Sequence, residues 1–168
     1  MLEDSDPYFQ RWFPDGEINI AYNMLDRHVI SGEGDRVAIH AESGYTGSKV
    51  AWTYKSLQQM SGRVASILKK KFDLKKGDTV IIYMPMMIEA VITMLACARL
   101  GVIHSVVFGG FAAKELASRI DSCKPKVIVT TSFGLEPTGK ISYPPKVEEA
   151  LNSFCVWDGA KDIPRIIK

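Results

Sequence analysis

The chain has 168 residues, a length that suits one domain with a substantial hydrophobic core. Hydrophobic residues make up 46% and charged residues 24%, which excludes a globally disordered, collagen-like or coiled-coil chain. The formal net charge is +2, so neither nucleic-acid binding nor attachment to a membrane is indicated. The cysteines, Cys97, Cys123 and Cys155, are three in number and widely spaced, which excludes a disulfide framework and a cysteine-rich zinc site.

Targeting and membrane-spanning patterns are not recognisable. The first residues, MLEDSDPYFQ, lack the basic start and apolar core of a secretory signal and the arginines of a transit peptide. The most apolar stretch, 79–108, is interrupted by Pro85, Glu89 and Arg99. We therefore expect a buried core segment there and not a membrane helix.

The first forty residues predict an irregular arm rich in aromatic side chains. Two interpretations stay open for these aromatics: a local cluster, which is favoured, or an arm packed on something larger. A short helix is expected over 20–30 and a short strand over 36–40. Residues 42–49 predict a hairpin loop that leads to a strand at 50–52. The aromatic residues are Tyr8, Phe9, Trp12, Phe13 and Tyr22.

Strands and helices alternate from Thr53 onward. Thr53 is expected to cap a helix whose apolar residues recur at three- and four-residue steps up to Phe72. The following segment, 79–131, predicts β-α-β-α-β, and its strands are continuous apolar runs. Such runs are typical of a parallel sheet covered on both faces, so the fold class predicted is α/β with three layers. The elements expected are a strand at 79–84, a helix from Pro85 to about 100, a strand at 103–108, a helix at 112–123 and a strand at 126–131.

The end of the chain gives weaker patterns. A short helix is expected over 146–152, and the segment 153–168 predicts no regular element. The organisation expected is an arm at 1–40, an α/β domain at 41–152 and a tail at 153–168.

One phosphate-binding motif is present in outline only. Gly134 to Lys140 fits G-x-x-x-x-G-K, but Ile141 stands where a P-loop needs Ser or Thr. Pro144 follows closely, so no helix is expected to begin at the lysine. We therefore expect no P-loop here.

Gly109 and Gly110 follow a strand at the edge where open α/β sheets place ligands. A tight turn that needs positive φ explains both glycines and is the favoured interpretation; a ligand contact is the alternative. The histidines His28, His40 and His104 are too scattered to predict a metal site or a catalytic triad. Met84, Met86, Met87 and Met94 are interpreted as core residues.

A set of longer motifs resembles the N-terminal part of the short-chain acyl-CoA synthetases, members of the adenylate-forming superfamily. The likeness covers residues 8 to about 151, and its details resemble the propionyl-CoA branch more than the acetyl branch. The motifs are Tyr8-Phe-Gln-Arg-Trp-Phe-Pro-Asp-Gly16, Tyr22-Asn-Met-Leu-Asp-Arg-His28, Thr53-Tyr-Lys-Ser-Leu57, Gly77-Asp-Thr-Val80, Tyr83-Met-Pro-Met86, Met94-Leu-Ala-Cys-Ala-Arg-Leu-Gly101, His104-Ser-Val-Val-Phe-Gly-Gly-Phe-Ala112, Ala112-Ala-Lys-Glu-Leu116, Arg119-Ile-Asp121, Lys124-Pro-Lys126 and Phe133-Gly-Leu-Glu-Pro137.

The resemblance implies a two-step ligation that uses ATP, Mg²⁺ and CoA. The carboxylate of propionate or acetate attacks the α-phosphorus of ATP, and the CoA thiol then displaces AMP from the acyl-adenylate. It also implies CoA contacts at Glu136, Pro137, Thr138, Gly139 and Lys140, with Gly109 and Gly110 as further neighbours. The arginine that the family has in this motif falls on Gly139, and Lys140 offers a point charge without the guanidinium fork.

Other parts that the family uses are not found in these residues. They are the Ser/Thr/Gly-rich phosphate loop, the adenine motif, the ribose-binding aspartate and the catalytic lysine, so no catalytic or metal-binding residue is predicted. The first hypothesis is a fragment of a synthetase that is inactive by itself and needs the rest of the enzyme as its partner. The alternative is a non-catalytic module with residual CoA or partner binding. The resemblance points to the mitochondrial matrix or the cytoplasm.

Overall fold

The structure is a computed structural model that describes residues 2–3, 6, 8–137, 139–154 and 164–167. Short helical turns at Tyr22–Asp26 and Val29–Glu33 precede the α/β part. The elements are β1 (Leu2–Glu3), β2 (Arg11–Trp12), β3 (Val37–Glu42), β4 (Lys49–Thr53), α1 (Tyr54–Phe72), β5 (Thr79–Met84), α2 (Ile88–Leu100), β6 (Ile103–Phe108), α3 (Ala113–Cys123), β7 (Val127–Thr130), β8 (Phe133–Glu136), β9 (Gly139–Ser142), α4 (Pro144–Glu149), a further helical turn (Ala150–Phe154) and β10 (Arg165–Ile167).

The centre of the fold is a parallel four-stranded sheet in the order β10-β7-β5-β6. Alternate residues of β5 enter two different cores, as strand geometry requires. Val80 and Ile82 pack with α1 and α2 on one face, while Ile81 and Tyr83 pack with α3 and α4 on the other. The three-layer α/β architecture predicted from the apolar runs is confirmed.

The described helices cover both faces of β5, but they do not cover both faces of β6, which is an edge strand. Val106 and Phe108 share a sheet face with Ile82 and Met84, yet they are 51% and 64% exposed. The described helices on that face pack over β5 and β7 and leave this part of β6 open. An apolar run therefore predicts the strand correctly without proving that both of its faces are covered.

Several boundaries differ from the expected ones for local reasons. Thr53 caps α1 as predicted, since its hydroxyl accepts a hydrogen bond from the Ser56 N–H at 3.2 Å. The second helix begins at Ile88 and not at Pro85, because Met87 is extended, with φ −140° and ψ 159°. The expectation of no regular element in 153–168 is wrong in part, because β10 pairs in parallel with β7.

The aromatic arm does not bury its side chains within the described residues. Trp12 and Phe13 contact each other, with ring centroids 6.4 Å apart, but Tyr8, Phe9, Trp12 and Phe13 are 64–88% exposed. The favoured local cluster is therefore formed there only as this exposed pair. The interpretation of all four central methionines as core residues is also wrong at one position. Met86 is 97% exposed because it lies in the bend between β5 and α2.

Two ion pairs stabilise the amino edge of the sheet, where the strands begin. Arg99 binds Asp26 through two N–H···O bonds of 2.8 and 3.0 Å, and Gln58 donates to the same carboxylate at 2.6 Å. Asp78 accepts from Lys126 at 2.7 Å and from the Lys75 N–H at 2.7 Å. These hydrogen bonds hold the pKa of both aspartates below the usual value of 3.8.

Candidate functional site

The carboxyl edge of the sheet brings together the ends of β5, β6 and β7. Met84 lies beside Phe108 in the register, and Tyr83 lies beside Thr130. The chain segments that leave these strands are the Pro85 bend, the turn 109–110 and the β8–β9 hairpin. Ligand sites in open α/β sheets lie at this edge because the loops converge there. This edge holds every described candidate residue predicted from the sequence.

Gly109 and Gly110 are glycines for a reason different from the favoured one. Neither is among the residues with positive φ, so the expected conformational reason is wrong. A Cβ atom on Gly109 would collide with the Tyr143 hydroxyl and would lie 3.1 Å from the Met84 carbonyl carbon. A Cβ atom on Gly110 would lie 2.5 Å from Cε1 of Phe108. Close packing against a buried side chain and backbone excludes a side chain at Gly109, whereas at Gly110 the exposed Phe108 ring is the obstacle.

Tyr83 holds the same turn from beneath the sheet edge. Its hydroxyl donates a 2.7 Å hydrogen bond to the Phe111 carbonyl, and its own carbonyl accepts a 2.7 Å bond from the Thr130 hydroxyl. The Tyr83 side chain is fully buried, and burial is the main reason why its pKa rises to about 12. Tyr83 is therefore a neutral hydrogen-bond donor at physiological pH.

The hairpin carries the second group of candidates. β8 and β9 pair antiparallel, with Glu136 opposite Gly139 at the tip. Gly139 has φ +115° and no neighbour within 4 Å of a Cβ position, so its backbone conformation, and not lack of space, favours glycine. Thr138 lies outside the described residues.

The expectation that the G-x-x-x-x-G-K pattern is not a P-loop is confirmed. Residues Gly139–Ser142 form a strand, and the next helix begins only at Pro144. The amide groups of a helix N-terminus are therefore not presented at Lys140, and those amides are what a P-loop uses to hold phosphate.

Lys140 is the cation that the described hairpin offers to a ligand. Its Nζ lies 3.9 Å from the ring centroid of Phe133 on the neighbouring strand, a cation–π contact. Phe133 is 43% exposed and Lys140 is exposed as well. The pair thus places a positive charge and an aromatic surface together near the sheet edge.

Tyr143 joins the glycine turn to the hairpin. It is fully buried, and its ring centroid lies 5.2 Å from that of Tyr83. A Cβ atom on Gly134, in β8, would lie 3.0 Å from Cε2 of Tyr143. The structure therefore brings Gly109 and the base of the hairpin onto the hydroxyl end of one side chain. Burial, followed by the Glu136 carboxylate, raises the pKa of Tyr143.

Sequence reasoning missed both tyrosines. Tyr83 ends an apolar strand and reads as a core residue, and nothing in its neighbourhood marks the Phe111 bond. Tyr143 lies between a strand and Pro144-Pro145, where no periodicity indicates burial. The remaining weak signal is the type of residue, since a buried tyrosine usually places its hydroxyl near a polar group.

Metal and membrane chemistry receive no support from the described part of the chain. The described residues form no group of three or more His, Cys, Asp or Glu side chains that could hold a metal ion. Of the histidines considered in the sequence, His28 packs on the Tyr54 ring, with the two ring centroids 4.5 Å apart. None of the helices in the described ranges is long and apolar enough to cross a membrane.

Comparison with known proteins places the fold in a family. The family model described as AMP-binding enzyme matches residues 26–161, so the chain belongs to the AMP-binding enzyme family. Within that family it is similar to acyl-CoA synthetase short-chain family member 3, mitochondrial, from Homo sapiens, with 53% identity over 150 residues. It is also similar to acetyl-coenzyme A synthetase from Streptomyces coelicolor, with 47% identity over 150 residues.

The likeness covers most of this chain and a small part of each relative. The human relative is matched over 89% of this chain and 22% of its own length. For the Streptomyces relative the shares are 89% and 23%. The chain therefore spans less than a quarter of the length of these curated relatives.

Proposed function

We propose that this chain is part of an ATP-dependent short-chain acyl-CoA synthetase that acts on propionate or acetate. The observation that carries the proposal is the 53% identity over 150 residues with a protein named acyl-CoA synthetase short-chain family member 3. In the first step the carboxylate displaces pyrophosphate from ATP and forms an acyl-adenylate. In the second step the CoA thiol attacks the acyl carbon, AMP leaves and the thiol proton is released.

The contribution of these residues is to bind CoA at the carboxyl edge of the sheet. Phe108 and Phe133 are 64% and 43% exposed and offer aromatic surfaces to an adenine ring. Lys140 offers its charge to a phosphate, as a point charge without bidentate geometry. The turn 109–110 and residues 136, 137 and 139 of the hairpin supply backbone groups at the same proposed site. These features fit the nucleotide end of CoA.

The adenylation step is assigned to other parts of the enzyme. Stabilising the charge that develops on ATP needs several preorganised donors and cations, which Mg²⁺ supplements when it is bound. The described residues of the hairpin and the glycine turn offer one cation, Lys140, for this purpose. We therefore expect this chain to form no acyl-adenylate by itself and to depend on the rest of a synthetase.

A non-catalytic CoA-binding module is the second candidate. The observation in its favour is that the glycine turn and the hairpin are joined through Tyr143 over a sheet with its own core. As for compartment, the human relative is named mitochondrial, which supports the matrix for the present chain, with the cytoplasm as the alternative.

The mass of the endogenous protein separates the two candidates. An antibody against residues 112–140, followed by intact mass measurement, is expected to detect a species several times heavier than 18.7 kDa. That species is expected to release pyrophosphate with ATP and propionate or acetate. A single species of 18.7 kDa without this activity contradicts the synthetase and favours the module.

The CoA contact is tested on the purified chain by calorimetry with a matched pair of variants. Lys140→Gln removes the charge beside Phe133, and Lys114→Gln removes an exposed lysine from α3. We expect Lys140→Gln to weaken CoA binding about tenfold, on the order of 1.4 kcal/mol for one charged contact, and Lys114→Gln to leave it unchanged. Equal affinities for all three proteins would remove Lys140 from the site.

A further inference from the structure

Tyr143 occupies a position that nothing in the sequence motifs assigns. It lies between β9 and α4, and its backbone N–H donates to the Ser132 carbonyl at 3.4 Å. Ser132 immediately precedes β8. The residue is thus fastened at the base of the hairpin, while its side chain is fully buried under the sheet edge.

Two glycines from different segments leave the space that this side chain fills. A Cβ atom on Gly109 would collide with the hydroxyl of the ring, and one on Gly134 would lie 3.0 Å from Cε2. Pro85 closes the same space, 3.2 Å from the Cβ position of Gly134. Since protein interiors are close-packed, a shift of one of these segments must move the ring or open a void.

The ring itself has little freedom to move away. Its neighbour Tyr83, at a centroid distance of 5.2 Å, is fixed by hydrogen bonds through its hydroxyl to Phe111 and through its carbonyl to Thr130, each 2.7 Å long. The turn 108–111 is therefore held at two points, at Gly109 by Tyr143 and at Phe111 by Tyr83. The Tyr143 hydroxyl has no hydrogen-bond partner among the described residues, so its action on Gly109 is packing.

We propose that Tyr143 is a positioning residue that couples the turn 109–110 to the β8–β9 hairpin, so that both segments of the proposed coenzyme site move as one unit. This inference rests on the proposed function for its biological role, because the coupled segments are the two that we assign to CoA. The coupling itself is a property of the packing and holds with or without ligand. As a consequence, the hairpin keeps its position relative to the glycine turn when CoA binds.

The test is a double-mutant cycle followed by NMR on the 168-residue chain. Gly109→Ala places a methyl group against the Tyr143 hydroxyl, and Tyr143→Phe removes that hydroxyl. In the tyrosine background we expect Gly109→Ala to shift the backbone amide signals of Gly139 and Lys140 at the far end of the hairpin. In the phenylalanine background the same substitution is expected to shift them far less, because the collision is relieved.

Two results would overturn the coupling. One is that Gly109→Ala changes only the signals of its own turn in both backgrounds. The other is that it changes the hairpin signals equally in both. If the Gly109→Ala chain fails to fold, Tyr143→Phe alone supplies the measurement. It is expected to shift the Gly109 amide, and an unchanged Gly109 amide contradicts the contact.

A CoA titration of the same samples keeps the two hypotheses separate. Under the proposed function, CoA shifts the signals of Gly110 and Lys140 together in the wild-type chain. A failure of CoA to shift either signal overturns the coenzyme site, while the coupling is still decided by the ligand-free spectra. CoA shifts at one segment alone would overturn the claim that the two segments act as a unit.

Discussion

The two edges of the parallel sheet are built from different interactions. At the amino edge, charged side chains are paired: Arg99 with Asp26 and Lys126 with Asp78. At the carboxyl edge, the contacts are aromatic packing and neutral hydrogen bonds around Tyr83. The first edge joins the arm and the helices to the sheet, while the second joins the loops that follow the strands.

The two edges differ in which polar groups are already paired within the protein. The amino-edge carboxylates of Asp26 and Asp78 have their partners within the protein, so their charges are not free for a ligand. The carboxyl edge leaves Met86, Phe108 and Phe133 exposed around a backbone turn in which Gly109 has no space for a side chain. Binding residues commonly lie on loops that a stable scaffold positions. We therefore expect ligand recognition at the carboxyl edge, whereas the ion pairs of the amino edge stabilise the fold.

The largest effect is expected from filling the packed turn at the carboxyl edge. Gly109→Ala should lower the free energy of unfolding by about 2–3 kcal/mol, because its methyl group meets buried atoms of Tyr143 and Met84. Gly110→Ala is the matched control, since its methyl group meets the outer end of the Phe108 ring, and Phe108 is 64% exposed. That ring can rotate away, so a smaller loss is expected. Urea unfolding of both variants is the measurement, and equal losses would contradict the packing argument.

A loss of about 2 kcal/mol is expected at the amino edge from Asp26→Asn. The substitution leaves the Arg99 guanidinium without its charged partner. The folded-state pKa of Asp26 is depressed below 3.8, so its contribution is present above pH 4 and is lost as the pH falls through the folded-state value. Unfolding curves of wild type and variant should therefore converge in acid. Asp73→Asn, which removes one partner of the exposed Lys75 pair, should change stability little at any pH. A difference between wild type and Asp26→Asn that is constant down to pH 2 would contradict the assignment.

The sequence was sufficient for the elements whose signals are local. The strands 79–84 and 103–108 and the cap at Thr53 follow from apolar runs and from the capping preference of threonine, and they agree with the structure. Strand β10 was missed because its short segment acquires a strand conformation by pairing with β7, which is a non-local interaction.

The candidate site likewise has a part that the sequence predicted and a part that it did not. The positions 109, 110, 136, 139 and 140 were predicted from the family resemblance, and they lie in the segments that follow β6 and β7. The reason for Gly109 was not predictable, since it lies in Tyr143, which is remote from Gly109 in the chain. A single sequence reports propensities along the chain and not which distant side chain fills a given space.

The smallest effect is expected at the glycine that ends α2 at the amino edge. Gly101 has φ +68°, and its Cβ position lies 3.0 Å from Cγ of Lys76. Gly101→Ala should cost about 1 kcal/mol, because alanine is strained in the left-handed region. Gly101→Asn is the informative control, since asparagine adopts this conformation more readily while carrying the same Cβ atom. If thermal unfolding shows a smaller loss of stability for asparagine than for alanine, the requirement for glycine at position 101 comes from its positive φ. At Gly109, by contrast, it comes from lack of space. Equal losses of stability for alanine and asparagine would instead assign the requirement for glycine to the Lys76 contact. Lack of space would then explain the glycine in both turns that flank β6.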